Sequence, residues 1–203
     1  MKFSKFFSNL QEAPWYRTFL NPVINEVGTE GTLLDIGTGS GKLIQILATE
    51  NGMDCTGVDT DSEMLAEARK KLGNLDVKLI EISPNTKLPC KNKSFDYIAI
   101  CSVLFHLKKE DIDTMLKDSL QLLKEEGKII ILTPTGKGSV WKLTKYFFSL
   151  KNRSVYIWFR ATKKRAKKWT AEKYLSQFAS AHKLNYKSKI VMNGFAQLEV
   201  IAV

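Results

Sequence analysis

The hydrophobic positions along the chain follow two periodicities, one typical of buried strands and one typical of amphipathic helices. Short apolar runs predict strands over residues 32–35, 54–59, 77–82, 97–103 and 128–132. Apolar residues spaced three and four apart predict helices over 42–50, 63–72, 112–123 and 169–183. The N-terminal 28 residues predict one or two helices broken at Pro14 and Pro22. The closing segments 186–191 and 196–203 predict a strand pair around Asn193-Gly194.

This order of elements predicts an α/β fold. Strands that alternate with helices favour a doubly wound, Rossmann-like parallel sheet with helices on both faces and right-handed crossovers. Ligands of such sheets bind at the carboxyl ends of the strands, near the point where the strand order reverses. The loops after Asp35, Asp59, Ile82 and Val103 are therefore expected to lie close together and to carry the chemistry.

Composition excludes several classes of protein, and the charge singles out one segment. Hydrophobic residues make up 44% of the 203 positions and charged residues 26%, which excludes a disordered or collagen-like chain. The net charge is +10, yet residues 137–169 contain eleven Lys and Arg and no acidic residue, leaving 20 basic and 21 acidic residues elsewhere. A cationic segment of this kind indicates a local anionic partner or surface.

Cysteine usage and hydropathy indicate the compartment. The three cysteines are widely spaced, form no CxxC and predict neither a metal site nor a disulfide framework. There is no run of about 20 apolar residues of the length that a membrane span needs. We therefore expect a cytoplasmic protein that holds no metal, with peripheral contact to an anionic membrane left open. The sequence gives no sign of the oligomeric state.

The segment Leu33–Lys42, LLDIGTGSGK, carries the strongest chemical signal. An acidic residue at the end of a strand is followed by Gly37, Gly39 and Gly41, which let the backbone pass beneath a ligand and expose amide groups. The motif fits neither a P-loop nor the dinucleotide spacing GxGxxG, whose third glycine would fall at Lys42. Asp59 ends the second predicted strand, where a carboxylate can accept both hydroxyls of a ribose.

With these residues the sequence resembles the class I S-adenosylmethionine-dependent methyltransferases, over residues 15–132 and more weakly over 169–203. DIGTGSG is similar to their first motif and VDTDSEML to the acidic loop after their second strand. LPCKNKSFDYIAICSVLFHL and LLKEEGKIII resemble their LPF-to-HL and LLKPGG segments. The resemblance implies a methyltransferase of type 11/25 with a seven-stranded sheet whose last strand is antiparallel.

The resemblance also implies a division of the chain and of the cofactor site. It implies one methyltransferase domain, with an N-terminal helical lid (1–30), a cofactor-binding core (31–133), a basic aromatic insert or lid (134–169) and a closing helix and strand pair (170–203). S-adenosylmethionine is the implied cofactor, and S-adenosylhomocysteine the product. Its implied contacts are Asp35, Gly37, Thr38, Gly39 and Gly41 at the amino-acid end, Asp59 at the ribose, Thr60 and Asn85 at the adenine, and Cys101 near the methionine part. Pro84 stands where the family has an adenine-binding Asp.

Methyl transfer needs alignment and at most one base, so few residues are candidates for catalysis. His106 follows the fourth strand and has the pKa range of a general base, although it also suits a helix start. Trp15 and Tyr16 suit either a lid over the cofactor or the core. Trp141 and Tyr146, in the basic segment, are candidates for the substrate side.

The basic segment contains eight of the chain's 21 aromatic residues and is the clue to the substrate. In one interpretation, residues 140–159 form an amphipathic lid and residues 160–168 a polybasic tail that rests on anionic lipid. Runs such as YFF and YIWF then favour a small or apolar acceptor, lipid-like or quinone-like. The alternative is a nucleic-acid methyltransferase whose basic residues track phosphates, which the apolar runs make less favoured. Two further alternatives are an ordinary solvated face and a protein that binds S-adenosylmethionine without catalysis.

Overall fold

The computed structural model describes residues 8–84 and 86–203, and within these ranges seven strands form one sheet. The strands are β1 Thr32–Ile36, β2 Asp54–Asp59, β3 Lys78–Glu81, β4 Phe95–Cys101, β5 Leu123–Pro134, β6 Asn185–Val191 and β7 Ala196–Ala202. Their order is β3-β2-β1-β4-β5-β7-β6, with β7 antiparallel to both of its neighbours and the other pairs parallel. The doubly wound, mostly parallel sheet with an antiparallel last strand is confirmed.

Helices cover both faces of this sheet. They are α1 Pro14–Ile24, α2 Lys42–Glu50, α3 Ser62–Leu72, α4 Lys109–Leu122, α5 Val140–Phe147, α6 Ser154–Glu172 and α7 Tyr174–Ala181. Single 3₁₀ turns lie at Leu104–His106, Leu150–Asn152 and Met192–Gly194. The start of α3 is capped by Asp61, whose side chain accepts from the amides of Glu63 and Met64.

Two apolar clusters flank the sheet because successive strand residues point to opposite faces. In β4, Ala99 belongs to the cluster under α1, α2 and α5, whereas Ile98 and Ile100 belong to the cluster under α4 and α7. The same alternation occurs in β5. Burial on both faces explains why these strands are continuous apolar runs in the sequence.

The N-terminal helix corrects one prediction. Pro14 starts α1 at a position where proline is favoured, but Pro22 lies inside the helix and does not break it. Proline in a helix interior removes one backbone hydrogen bond and costs about 3 kcal/mol. Burial of Trp15, Phe19 and Val23 against the sheet offsets that cost.

The boundaries after α4 and in the C-terminal third also differ from the predictions. Strand β5 begins at Leu123, so Gly127 lies within the strand, at a register shift between the pairs Phe95–Leu123 and Tyr97–Lys128. The predicted helix 169–183 is two helices, because Lys173 adopts a left-handed conformation (φ 51°) between α6 and α7. Local periodicity continues across such a residue and does not reveal the break.

Helix α6 passes over the carboxyl edge of the sheet and contains the whole polybasic run 160–168, which is therefore not a separate tail. Its first half packs in one apolar cluster through Trp158 and Phe159, and its end packs in the other through Trp169. The helix packs directly on the loop after β5. The approach is so close that a Cβ at Gly136 (φ 64°) would collide with the backbone of Lys163 and Lys167. The basic segment thus covers the edge where ligands of such sheets bind.

Candidate active site

A cavity of about 330 Å³ opens at the carboxyl ends of β1, β2 and β4. Its walls come from the segment before α1, from α1 itself, the glycine loop, the loops after β2 and β4, and from α4 and α6. Within the described residues, no group of three or more His, Cys, Asp or Glu side chains is arranged to hold a metal ion.

The glycine loop provides space rather than free amide groups. Gly37, Gly39 and Gly41 all have positive φ (75°, 57° and 75°), as only glycine readily adopts. The amides of Gly37 and Thr38 both donate to Val58 O, at 2.8 and 3.1 Å, and the amide of Gly39 donates to Asp59 Oδ2 at 2.7 Å. These amides are occupied by the protein, unlike those of a phosphate-binding loop, so the predicted exposure of this set is not observed.

Asp59 lies at the end of β2 and lines the cavity. Its two carboxylate oxygens accept the amides of Gly39 (2.7 Å) and Asp61 (3.0 Å). Each oxygen of a carboxylate can accept a second hydrogen bond, so both stay available to hydroxyl groups of a ligand. The adjacent Thr60 also lines the cavity.

Asp35 is the second carboxylate of the site and lies almost fully buried at the end of β1. Burial raises its pKa to about 7, and the nearby charge of Asp59 adds to this. A cation brought beside Asp35 would stabilise its ionised form. Together the two carboxylates make this end of the cavity suited to a positively charged ligand.

The end of β4 contributes the thiol of Cys101 and the hydroxyl of Ser102, whose backbone is strained. Burial, with the charge of Asp35, raises the pKa of the Cys101 thiol well above its ordinary value, so the thiol stays protonated. Ser102 has φ 60°, and its buried Oγ finds no hydrogen-bond partner among the described residues. A buried polar atom without a partner is costly in a native protein, so its place in the cavity wall favours a polar ligand there.

Part of the cavity wall is apolar and forms a chamber. The residues of this chamber are Leu20 and Tyr16 of α1, Phe105 of the loop after β4, Met115 of α4 and Trp158 of α6. Burial raises the pKa of the Tyr16 hydroxyl, and the nearby charge of Asp35 adds to this, so the hydroxyl stays protonated. This chamber suits an apolar group that is held next to the charged end.

His106 lines the same chamber and contacts the polybasic helix. Its Nδ1 lies 3.0 Å from Nη1 of Arg165. Because a guanidinium only donates, Nδ1 accepts, and the proton of the neutral ring is on Nε2. Burial and the charge of Arg165 both lower the pKa of His106, which favours this neutral form. The sequence gives no sign of the contact, since 59 residues separate the two side chains.

A polar network ties the segment before α1 to the glycine loop. Lys71 donates to Ser40 Oγ (2.8 Å), Ser40 donates to Gln11 Oε1 (2.5 Å), and Gln11 donates to the Tyr16 hydroxyl (3.3 Å). Glu12 also forms ion pairs with Lys42 and Lys71. These hydrogen bonds and ion pairs hold the described part of the predicted N-terminal lid against the glycine loop and its neighbours.

The structure brings most of the predicted site residues to the cavity, and the others lie elsewhere. The lining includes Tyr16, Asp35, Gly37, Thr38, Gly39, Asp59, Thr60, Cys101 and His106. Trp15 is fully buried against Trp158, at 5.1 Å between ring centroids, and is outside the lining, as is Gly41. Trp141 and Tyr146 are exposed on α5 and also lie outside it. Asn85 lies outside the described residues.

Sequence reasoning did not include several residues of the cavity wall among the site candidates. They are Gln11, Leu20, Ser102, Val103, Phe105, Met115, Trp158 and Thr162. Ser102 and Val103 are the last residues of the predicted strand 97–103, which ends at the ligand edge, and this position is a signal that points to them. Trp158 and Thr162 reach the cavity only because α6 crosses the sheet edge, which no local pattern reports.

The amino-acid sequence is similar to a known protein family and to several characterised and uncharacterised methyltransferases. Residues 34–131 match a family model described as a methyltransferase domain. The chain is 30% identical, over 129 residues, to an uncharacterized methyltransferase of Staphylococcus carnosus, covering 62% of this chain and 59% of that one. It is 33% identical, over 106 residues, to a demethylmenaquinone methyltransferase of Chlorobaculum parvum, covering 52% and 42%. The chain spans about half the length of the curated relatives that it matches.

Solved structures agree on the fold. The crystal structure of an S-adenosylmethionine-dependent methyltransferase from Aquifex aeolicus superposes with a TM-score of 0.71 over all of both chains, at 17% identity. A protein of Methanococcus maripaludis described in the same way superposes with a TM-score of 0.72 over 98% of this chain and 90% of that one, also at 17% identity. Residues 34–131 are therefore similar to a methyltransferase domain, and the chain has the fold of these S-adenosylmethionine-dependent methyltransferases. The comparisons imply S-adenosylmethionine as the cofactor.

The residues present fit this cofactor. A Cβ at Gly37 would collide with the Val103 side chain, so the loop can pass beneath a ligand only with glycine there. Asp35 and Asp59 supply carboxylates for a cationic amino-acid end and for ribose hydroxyls, and Ser102 supplies a hydroxyl without a partner. The occupied loop amides also agree with a ligand that carries no phosphate.

Proposed function

We propose that the chain transfers the methyl group of S-adenosylmethionine to a small apolar acceptor, lipid-like or quinone-like. The observation that carries the proposal is one cavity whose wall contains the carboxylates of Asp35 and Asp59 together with apolar side chains. The carboxylates suit the charged cofactor, and the apolar side chains suit an acceptor that places an apolar ring or chain next to the methyl group. Two of the matched relatives are named demethylmenaquinone methyltransferases, which supports a quinone-like acceptor.

The cofactor, when bound, supplies an electrophilic methyl group on a sulfonium, and the protein supplies alignment. Asp59 accepts the ribose hydroxyls, and Asp35 balances the charge of the amino-acid end. Tyr16, Phe105 and Trp158 exclude water from the acceptor chamber and hold an apolar acceptor by contact. Exclusion of water strengthens the electrostatic interactions of the two carboxylates.

His106 is better placed as a hydrogen-bond donor than as a base. Its Nδ1 lone pair is taken by Arg165, which leaves Nε2–H to donate to an oxygen of the acceptor. A phenolate oxygen on the acceptor, which has already released its proton to solvent, would be oriented in this way toward the methyl group, and S-adenosylhomocysteine would leave as the carbon–sulfur bond breaks. Arg165 acts on the acceptor only through His106 and is a positioning residue.

Transfer of labelled methyl from S-adenosylmethionine to a panel of acceptors tests this proposal. The panel contains a demethylated naphthoquinol in detergent micelles, a simple phenol, phosphoethanolamine and single-stranded RNA. We expect label in the quinol or the phenol, and loss of that signal in Asp59→Ala. Asp76→Asn, an exposed position outside the cavity, is the matched control.

Two outcomes contradict the proposal. Label only in phosphoethanolamine or RNA would show that the apolar chamber does not select the acceptor. Binding of S-adenosylmethionine without transfer to any acceptor of a broad apolar panel would favour a protein that binds the cofactor without catalysis.

A further inference from the structure

The segment that covers the site presents an exposed apolar surface to solvent. Trp141 is 87% exposed, Phe148 83% and Leu150 91%. Trp141 lies in α5, Phe148 directly follows this helix, and Leu150 begins the next 3₁₀ turn. Six of the eight large hydrophobic residues that are exposed in the described ranges fall within residues 140–157. Large apolar side chains of a folded protein rarely gather in this way without a partner.

Basic residues lie around these side chains, and almost none of them has a carboxylate partner among the described residues. Of the eleven Lys and Arg in 137–169, only Lys168 lies within ion-pair distance of a carboxylate among the described residues. On α6 the outer face repeats Ile157, Arg160, Lys164 and Lys167 at spacings of three and four, opposite the buried Trp158 and Ala166. We call the exposed residues of 137–168 the α5–α6 surface.

We propose that the α5–α6 surface docks on anionic phospholipid membranes, with Trp141, Phe148 and Leu150 inserted at the interface and the basic residues of α6 facing the headgroups. Trp and Phe are favoured at the membrane interface, and each basic residue near an anionic leaflet adds to the attraction. No helix within the described ranges is long and apolar enough to span a bilayer.

The apolar residues favour a lipid partner over a nucleic acid. Aromatic rings stack on bases, but the aliphatic side chains of Leu150, Val140 and Ile157, also exposed, have no such use on RNA. In an interface they contribute buried area together with the rings.

Docking would also place the catalytic cavity at the membrane. Trp158 and Thr162, which line the cavity, lie on the same helix as Ile157, Arg160 and Lys164. The cavity, on the inner side of α6, would then lie one helix away from the bilayer in which an apolar acceptor dissolves. This last step rests on the proposed function, whereas docking itself does not.

Co-sedimentation with vesicles tests the docking, with cofactor absent. We expect binding to vesicles of phosphatidylcholine mixed with phosphatidylglycerol, weak binding to phosphatidylcholine alone, and weakening at high salt. The variant R160Q/K164Q/K167Q should bind the anionic vesicles about 100-fold more weakly. The matched control K78Q/K91Q/K187Q removes the same charge at exposed positions elsewhere and should bind as the parent does.

Trp141 provides a direct probe of insertion. The other three tryptophans are at most 8% exposed, so a blue shift of emission on adding anionic vesicles reports Trp141. We expect that shift in the parent and its absence in Trp141→Phe, which should still sediment with the vesicles. The variant W141Q/F148Q/L150Q, whose positions are exposed and whose fold should be unaffected, should lose most of its binding.

Several results would overturn the docking. They are equal binding by the parent and the α6 charge variant, an unchanged emission spectrum on saturating anionic vesicles, and tighter binding to single-stranded RNA than to vesicles at the same salt. Calorimetry with S-adenosylmethionine on the same variants keeps the two proposals apart. Full cofactor affinity without vesicle binding refutes only the docking, and vesicle binding without cofactor affinity refutes only the proposed activity.

Discussion

Single residues decide the electrostatics of this site, and Asp35 is the clearest case. It lies buried at the end of β1, in the cavity, with a pKa of about 7. The folded protein therefore keeps this carboxyl protonated over a pH range in which the unfolded chain releases the proton. A cationic ligand favours the ionised form, so binding and deprotonation of Asp35 are linked.

We predict that the affinity for S-adenosylmethionine rises about ten-fold between pH 6 and pH 8 and is level above that. The sign follows from the raised pKa, because below it the proton on Asp35 must leave before the cation can pair with the carboxylate. Calorimetry in buffers of different ionisation enthalpy would measure the released proton. An affinity that does not change with pH, or a change that persists in Asp35→Asn, would contradict the assignment.

The His106–Arg165 contact gives a second prediction at this scale. Removing the guanidinium in Arg165→Ala should raise the pKa of His106, because the charge of Arg165, after burial, is what lowers it. The chain contains only two histidines, so two imidazole resonances in a proton NMR titration suffice to follow it. Lys164→Ala, one residue away on α6 and exposed, should leave the pKa of His106 in place.

The same pair distinguishes two roles of His106. If the imidazole donates through Nε2–H, His106→Gln should retain more activity than His106→Ala, since a Gln amide also donates. A general base would not be replaced by Gln. Equal loss in both variants would therefore favour the base.

At the scale of elements, the glycine loop between β1 and α2 shows how close packing limits the sequence. The loop passes under the cavity with Val103 directly against Gly37. Gly52, which precedes β2, has a similar positive φ (65°) but nothing within 4 Å of the position of a Cβ. The two positions share their backbone conformation and differ in packing.

We predict that Gly37→Ala lowers the free energy of unfolding by about 3 kcal/mol, and Gly52→Ala by about 1 kcal/mol. The smaller value is the cost of a side chain at positive φ alone, and the difference is the collision with Val103. Urea denaturation of both variants measures this. Similar losses in the two would show that the loop moves away from Val103 at little cost.

Helix α6 is the element that the sequence described least well. Its composition suggested an aromatic lid followed by a basic tail, whereas it is one helix that packs on both apolar clusters. Its inner face carries Trp158 and Thr162 into the cavity and its outer face carries the free charge. One helix thus links the acceptor chamber to the α5–α6 surface.

At the scale of the whole molecule, a bound ligand would contact four separate parts of the chain: the segment before α1, and the loops after β1, β2 and β4. Their joint contact predicts a stabilisation of the folded state. At a hundred times its dissociation constant, S-adenosylmethionine should add about 2.7 kcal/mol and raise Tm by roughly 5–10 °C.

Thermal denaturation with and without ligand checks this prediction. Asp59→Ala should show no rise at the same ligand concentration. ATP should give none either, because the amides of the glycine loop that would bind phosphate are already bonded to Val58 and Asp59. A comparable shift with ATP would show that the loop rearranges to accept anions.

The amino-acid sequence was enough to predict the sheet, because each strand buried on both faces needs a continuous apolar run and each covering helix an apolar stripe. It was also enough to predict that the acidic residues and glycines at the strand ends lie together, since a parallel sheet brings those ends to one edge. Three features were visible only in the folded protein. Trp15 lies in the core and Tyr16 in the cavity wall, Arg165 contacts His106, and α6 crosses the site. These contacts join residues far apart in the chain, and local periodicity carries no information about which distant side chains meet.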